Sequence, residues 1–439
     1  MRFLLDCGYF QGRDSTRKNA APFPFEARDI DAIFLSHAHL DHCGRIPRLV
    51  KEGFRGPIHS TRATRDLAEA VLLDAAAVAR DDWERWQRHP GRGMAPEPLF
   101  DETHVERTMG LFSDPGDYGD RGEVHPGIGL SFIDAGHILG SACVAVEIDS
   151  GSGQRLIFSG DIGNPGKPIV RDPATPPRSD LAICEATYGG RDHRDMPATV
   201  VELDAVVMET LHRGGKVMIP SFALERTQEL LYVLFDLWKR TRLDGAPVVL
   251  DSPLAIDATA IFLRHRELFD AEAAKRIAAD PNPFRFPALI YAKKPEESRH
   301  WNDHSGPAVI IAGGGMCSGG RILHHFRHHL GDPQSAVVIV GYQPEGGLGR
   351  RLVDGADEVR IHGRRVPVRA TVHTIGGFSA HGGRSDLRRW VLATGARRVS
   401  LVHGEPEMLE AFRRTLAADG IEAIVPRLGE RVGFPGPAG

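Results

Sequence analysis

Four side chains able to hold a metal ion fall within six residues, in Phe34-Leu-Ser-His37-Ala-His39-Leu-Asp41-His42-Cys-Gly44. Imidazoles with a carboxylate suit divalent zinc, and the apolar run before them reads as a strand whose end aims all four at one small volume. Any one of the chain's 21 histidines is better read as an ordinary core or surface residue; four donors at this spacing are not. One turn of chain cannot complete two metal sites, so further donors must come from elsewhere. Three candidates are His137 in Asp-Ala-Gly-His-Ile-Leu-Gly-Ser, Asp161 in Phe-Ser-Gly-Asp-Ile-Gly and His403 in Leu-Val-His-Gly-Glu. Each follows an apolar run and stands beside a glycine that lets the backbone turn. Alone, each is as readily a turn residue; with the first motif they read as ligands. The chemistry implied is metal-assisted hydrolysis, in which paired ions activate water near neutral pH and stabilise both oxygens of an in-line displacement.

Strand ends must position these donors. Short β-branched runs at 32–36, 130–134, 156–159, 181–184 and 399–402 each lead into a loop that carries a His, Asp or Glu within its first three residues. Between 61 and 88 the apolar period becomes helical, which predicts one long helix ended by the Pro/Gly-rich stretch 89–98. From about 198 the texture alternates: helix-like 198–212, 225–240 and 321–330 stand among strand-like 217–219, 248–250, 309–312 and 337–340. Such alternation predicts a mainly parallel sheet covered by helices. Donor-bearing strand ends resume after 376, so 1–190 and 376–439 read as one domain with 191–375 inserted into it.

A chain of 439 residues, 41% hydrophobic and 26% charged, is long enough for two or three globular domains and shows no disorder bias. Its net charge of −4 excludes a globally basic binder, so nucleic acid would have to be held by local basic patches and metal. Five scattered cysteines without a Cys-x-x-Cys pair read as reduced, buried thiols. The start lacks a signal-like apolar region and no run reaches the ~18 apolar residues of a membrane span. A cytoplasmic enzyme with no membrane partner is expected.

The order Asp6, His37-x-His39-x-Asp41-His42, His137, Asp161 resembles the metallo-β-lactamase fold. Glu185 in Cys-Glu-Ala-Thr-Tyr-Gly, His381 in Gly-Phe-Ser-Ala-His-Gly and His403 narrow the likeness to the β-CASP branch of RNA- and DNA-processing nucleases. It covers essentially the whole chain. Pro220-Ser-Phe-Ala-Leu-Glu-Arg226, Asp251-Ser-Pro-Leu-Ala and Gly314-Gly-Met316-Cys-Ser-Gly-Gly320-Arg321 are similar to short prokaryotic relatives of the cleavage and polyadenylation endonuclease and of ribonuclease J.

The resemblance implies an α/β protein, a metallo-β-lactamase αββα sandwich with an inserted β-CASP α/β domain of mainly parallel sheet. It implies two zinc ions per chain, one held by His37, His39 and His137, the other by Asp41, His42 and His403, with Asp161 bridging. Asp6 would stand behind them, orienting a ligand imidazole or the loop that carries His37. Asp41 and Asp161 would flank the reacting centre. His381 would contact the scissile phosphate and give a proton to the leaving ribose 3′ oxygen, kept cationic by Glu185. The implied substrate is single-stranded RNA, cut to 5′-phosphate and 3′-hydroxyl ends. Internal and 5′-to-3′ exonucleolytic cleavage both stay open, as does a homodimer.

Substrate grip is less specific. Gly313-Gly314-Gly315, after a strand and before a helix, offers backbone N–H groups to a phosphate and reads equally as a tight turn. Arg226 and Arg321 could clamp neighbouring phosphates, and Ser379, two residues before His381, is a further expected phosphate contact. Arg350-Arg351, Arg364-Arg365 and Arg397-Arg398 could form a positive track, although each pair alone reads as solvated surface. His324-His325 with His328-His329 reads as a helix facing a cleft or solvent rather than a metal site.

The chain departs from the family pattern in three places. A further pair of strands is expected before Leu4, and without it one sheet edge is incomplete. The acidic residue usual two positions after His381 is Gly383, with Asp386 as its substitute, and Gly314 stands where serine is common. Competing readings are a small-molecule hydrolase of lactams, lactones or thioesters, a DNA-directed repair nuclease and a non-catalytic RNA-binding subunit. The inserted region and the Glu185, His381 pair tell against the first. His403, where DNA-acting relatives carry valine, tells against the second, and the full donor set against the third.

Overall fold

Buried, β-branched runs become the strands that carry the candidate donors, in a computed structural model that describes residues 1–12, 14–88, 97–113, 116–149 and 153–435. Two units are distinguishable: unit 1 comprises residues 1–165, 171–192 and 381–439, and unit 2 comprises 166–170 and 193–380.

Unit 1 holds two sheets. Phe3–Leu5, Ala32–Phe34 and Ile58–His59 form a parallel three-stranded sheet with Phe3–Leu5 at one edge. The second sheet runs Glu422–Ile424, Arg398–Val402, Leu181–Glu185, Gln154–Phe158, Ala142–Ile148, Ile128–Asp134, Arg121–His125. Its first four strands are mutually parallel and the rest antiparallel. Alternation along Gln154–Phe158 shows the layering. Leu156 and Phe158 join Ala32, Phe34, Phe132 and Val144 between the two sheets, whereas Ile157 joins Trp390 of helix Arg384–Thr394 and Phe412 of helix Pro406–Ala418 on the opposite face. Full burial of a side chain such as Phe34 stabilises by about 2–3 kcal/mol over exposure, so the sequence pattern that hides these residues also fixes where the strand ends emerge. The long helix spans Arg62–Gln87, started by Thr61, whose hydroxyl accepts from the Thr64 N–H at 3.2 Å. Of the stretch 89–98, expected to end it, residues 89–96 lie outside the described residues.

Unit 2 is built on six parallel strands in the order Leu289–Tyr291, Val248–Asp251, Ala308–Gly313, Lys216–Ser221, Ala336–Ile339, Thr371–Thr374. The four inner strands are rich in Val, Ile, Met and Leu with almost no exposure, the texture of strands covered on both faces, whereas the edge strands Leu289–Tyr291 and Thr371–Thr374 are partly exposed. An antiparallel hairpin, Glu358–Ile361 with Arg364–Pro367, stands outside the sheet and carries the Arg364-Arg365 pair. The four-histidine helix Ile322–His329 does not simply face solvent. His325 is fully buried and sits 2.7 Å from Asp251, His329 is buried, and His328 is exposed. Among the described residues no helix is long and apolar enough to cross a membrane.

Candidate metal centre

The carboxyl end of the buried strand Ala32–Phe34 delivers Ser36 and His37. His39 stays extended at φ −66° and ψ 147° ahead of the short helix Leu40–Cys43, so Asp41 and His42 project from that helix's first turn. Asp6, held at a positive φ of 62°, sits behind them. Its carboxylate accepts from the Ser36 backbone N–H at 2.7 Å, the Ser36 hydroxyl at 2.7 Å and His42 Nδ1 at 2.6 Å.

That network settles which nitrogens carry hydrogen. A carboxylate only accepts, so His42 is protonated at Nδ1. The Ser36 hydroxyl gives its hydrogen to Asp6 and therefore accepts from His37 Nδ1 at 3.0 Å. Nε2 of each ring then faces Asp161 Oδ2, in both cases at 3.3 Å. Two ring nitrogens this close to one carboxylate oxygen call for a cation among them, a proton or a metal ion, and His42 Nε2 is buried with no hydrogen-bond partner.

Two more loops close the cluster. His137 comes from the connection between Ile128–Asp134 and Ala142–Ile148, and Asp161 follows Gln154–Phe158. His39 Nδ1 lies 3.1 Å from His37 Nε2 and 3.3 Å from His137 Nε2, which is 3.5 Å from Asp161 Oδ2. Donors ~2.0–2.1 Å from a tetrahedral zinc lie roughly 3.3–3.4 Å apart, so these separations fit ligands around a shared ion. His37, His39, His137 and Asp161 form one group of converging donor atoms; Asp41, His42 and His403 form another. His403, at a positive φ of 47° just after Arg398–Val402, places its ring 3.0 Å from Asp161 Oδ1 and 3.4 Å from Asp41 Oδ2.

The electrostatics divide along the same line. Burial holds His37, His39 and His137 neutral, with His39 pushed down to about 3, and the neutral imidazole is the form that binds metal. Burial also opposes charge on His42 and His403, but Asp161 outweighs it in both, helped by Asp6 for His42 and by Asp41 for His403, and both are raised. On that side a metal ion must displace a proton. The residues present therefore fit metal ions in number, donor type and spacing.

Next to this cluster stands an acid pair. Leu181–Glu185 lies between Arg398–Val402 and Gln154–Phe158 in parallel register, so Glu185, His403 and Asp161 leave the same edge of the sheet. Glu185 is fully buried, with Oε1 accepting from the Ile162 N–H at 2.7 Å and Oε2 from the Thr187 N–H at 3.2 Å. The same carboxylate takes His381 Nδ1 at 3.1 and 3.2 Å. Burial works against charge on His381, but Glu185 and then Asp161 reverse it and raise the imidazole above its usual value. Its ring is 4.6 Å from that of His137. With Nδ1 committed to Glu185, Nε2 is the atom left for a substrate.

Sequence reading missed what steadies this segment. Asp192, not singled out before, accepts from the Ser385 N–H at 2.7 Å and its hydroxyl at 3.0 Å. A β-carbon at Gly383 would lie 2.9 Å from Asp192 Oδ1, so an acidic residue there would crowd a like charge. Asp386 instead caps its own helix, accepting from the Gly383 N–H at 3.0 Å. Tyr188, with its ring 6.1 Å from His381, was also overlooked.

The residues expected to grip phosphate lie elsewhere in the chain, and two are not open forks. Arg226 is buried in unit 2, donating to the Val340 carbonyl and paired with Glu229 at 3.4 Å. Arg321 gives hydrogen bonds to Asp251 at 2.6 Å and to the Ala292 and Lys293 carbonyls at 2.8 Å each. Asp251 is fully buried and also takes Ser298 at 2.6 Å and His325 at 2.7 Å, so Arg321 neutralises an interior carboxylate that would otherwise be costly. Gly314 turns at φ 116° with its backbone against the Gly319 carbonyl, which is the tight-turn reading of that run. Gly315 lies under Phe222, and Ser379 is buried.

Asp6 supports a direct prediction. Asp6→Asn keeps its shape but puts an amide against one of its three donors, freeing the His42 ring. Metal affinity, measured by competition with a chromophoric chelator, is expected to fall about 10- to 100-fold, the usual cost of losing such a partner. Unchanged affinity would show that Asp6 serves only the Ser36 turn.

Comparison with known proteins agrees with this geometry. Residues 2–196 match the metallo-beta-lactamase superfamily, 227–352 the Beta-Casp domain and 365–426 a Zn-dependent metallo-hydrolase RNA specificity domain. Ribonuclease TTHA0252 of Thermus thermophilus is 44% identical over 431 residues, 98% of this chain and 94% of its own length. Transcription termination factor FttA of Methanocaldococcus jannaschii is 34% identical over 94% of this chain, which spans 65% of that longer protein. With one family's match running through all the donors up to Asp161, another's lying within unit 2 and an end-to-end relative, the chain belongs to the β-CASP branch of the metallo-β-lactamase superfamily.

Proposed function

We propose that the protein is a zinc-dependent ribonuclease that hydrolyses phosphodiester bonds of single-stranded RNA in the cytoplasm, leaving 5′-phosphate and 3′-hydroxyl ends. The observation that carries this reading is the convergence on Asp161 of imidazoles from three separate loops, His37 and His42, His137, and His403, at 3.0–3.5 Å. The near-full-length relative that is named a ribonuclease supports RNA as substrate.

In this reading His37, His39 and His137 would hold one zinc ion and Asp41, His42 and His403 a second, with Asp161 available to both. When bound, the ions supply a water-derived nucleophile near neutral pH and charge stabilisation for the phosphoryl group. The chain's own residues do the rest. Asp6 and Ser36 fix the tautomers that turn Nε2 of His42 and His37 inward. Glu185, locked by two backbone N–H groups, holds the His381 ring and favours its cationic form, and His381 Nε2 delivers the proton to the departing 3′ oxygen.

The test is digestion of an unstructured RNA labelled at either end, before and after chelation. Cleavage is expected to stop on chelation and to return with zinc at about two equivalents per chain, and the new 5′ ends should be sensitive to phosphatase. A metal-replete protein that leaves RNA intact yet hydrolyses a thioester or lactam would overturn the proposal. Label release from the 5′ end against internal fragments decides between exonucleolytic and endonucleolytic action.

A further inference from the structure

We propose that unit 2 carries a stacking site for an unpaired nucleobase, built on the exposed ring of Phe222. The inference rests on the RNA reading above and deepens it.

The topology points to the place. In the six-stranded sheet, Lys216–Ser221 and Ala308–Gly313 are neighbours, paired along their length to Ser221 and Gly313. From Lys216–Ser221 the chain passes next to Val248–Asp251 on one side; from Ala308–Gly313 it passes to Ala336–Ile339 on the other. Outgoing connections that part in this way open a crevice beyond the carboxyl ends of the two strands, where parallel α/β sheets bind ligands. Phe222 is the first residue after one of these strands and Gly314-Gly315 follow the other.

The crevice holds aromatic surface that the fold does not bury. Phe222 is 39% exposed and Tyr342, from the loop after the adjacent strand Ala336–Ile339, is 52% exposed. The Phe222 ring rests on a floor of peptide backbone. A β-carbon at Gly315 would come within 2.8 Å of the ring and one at Gly341 within 3.4 Å. Gln343, itself buried, braces both: its Nε2 donates to the Gly315 carbonyl at 2.8 Å and the Gly341 carbonyl at 3.3 Å. One ring face is thus supported and the ring left partly open. A flat, unsaturated partner suits such a ring. A base stacked on an aromatic side chain is the sequence-tolerant contact single-strand binders use. A second copy of the chain and an apolar peptide are the other possible occupants, and the test separates them.

The experiment compares the wild-type protein with Phe222→Ala, Phe222→Leu and Phe222→Trp on a short unstructured RNA, and on a series of that RNA bearing one abasic residue at successive positions. Phe222→Leu keeps an apolar cover over the two glycines and guards against a folding artefact. Both Ala and Leu variants are expected to raise KM about ten-fold with kcat little changed, and Trp to restore binding. In the wild type one abasic position should cost about the same ten-fold, and in Phe222→Ala that position should cost nothing more. Hydrolysis of bis(p-nitrophenyl) phosphate should be equal in all four proteins. Variants that bind RNA as the wild type does, or weaken without dependence on the abasic position, would sink the stacking site and leave the ribonuclease reading intact. So would a change in oligomeric state on substitution, which would assign the patch to a protein partner. If the wild type neither binds nor cuts RNA, both readings fail together.

Discussion

Asp161→Asn is expected to strip metal from the protein and reduce RNA cleavage by roughly a thousand-fold or more. Residues that merely orient a ligand contribute about 10- to 100-fold, and Asp161 contacts both donor groups at once, so its loss must exceed that range. The asparagine keeps the volume but removes the negative charge that His37, His42, His137 and His403 share at 3.0–3.5 Å. Four imidazoles then face one another around a neutral amide, and in the proposed reading neither ion would keep a full set of donors. Zinc content by atomic emission should fall well below that of the wild type, while circular dichroism should be unchanged, because the strand ends that carry these loops are held by their own buried cores. Full metal content with full activity would show that Asp161 is not shared between two ions.

His381→Ala should separate chemistry from metal binding. Zinc content is expected to stay at the wild-type level, since His381 Nδ1 is bonded to Glu185 and stands 4.0 Å from Asp161. The rate constant kcat should fall by about 10²–10⁴, the usual contribution of a positioned proton donor. The companion variant Glu185→Gln tests why. Glu185 is the largest influence raising the His381 imidazole against the opposing effect of burial. Removing its charge lowers that pKa, so the acid loses its proton at lower pH and the alkaline limb of the kcat profile moves to lower pH. An alkaline limb that stays in place in Glu185→Gln, or loss of zinc in His381→Ala, would assign the pair to structure or to metal binding instead.

How far these roles could be read without coordinates varied with the kind of constraint. The cluster of candidate donors was legible because few residue types can serve, and because His37, His39, Asp41 and His42 crowd one turn; His137, Asp161 and His403 each kept the signature of an apolar run followed by a glycine-flanked donor. The strands Leu181–Glu185 and Arg398–Val402 stood out as apolar runs, yet nothing in their composition said that they are neighbours, which is what brings Glu185 alongside His403. Charge was the poorest guide. Arg226 and Arg321 look like surface residues suited to phosphate, but both are occupied within the fold, Arg226 by the nearby Glu229 and the Val340 carbonyl and Arg321 by the distant Asp251 and the Ala292 and Lys293 carbonyls. The excursion of residues 166–170 into unit 2 had no local signal either. There Lys167, buried, pairs with Glu229 and donates to the Phe378 carbonyl at 3.0 Å.

Donors drawn from so many separate loops impose an order on synthesis. A ribosome that has released the first two hundred residues or so has already made His37 through Asp161 and Glu185, but neither His381 nor His403. In the proposed reading such a nascent chain lacks a ligand of the second ion and the proton donor, so it cannot cut the message from which it is being translated. In that reading full nuclease competence waits for residue 403, so the inserted domain is translated while the site is still unfinished.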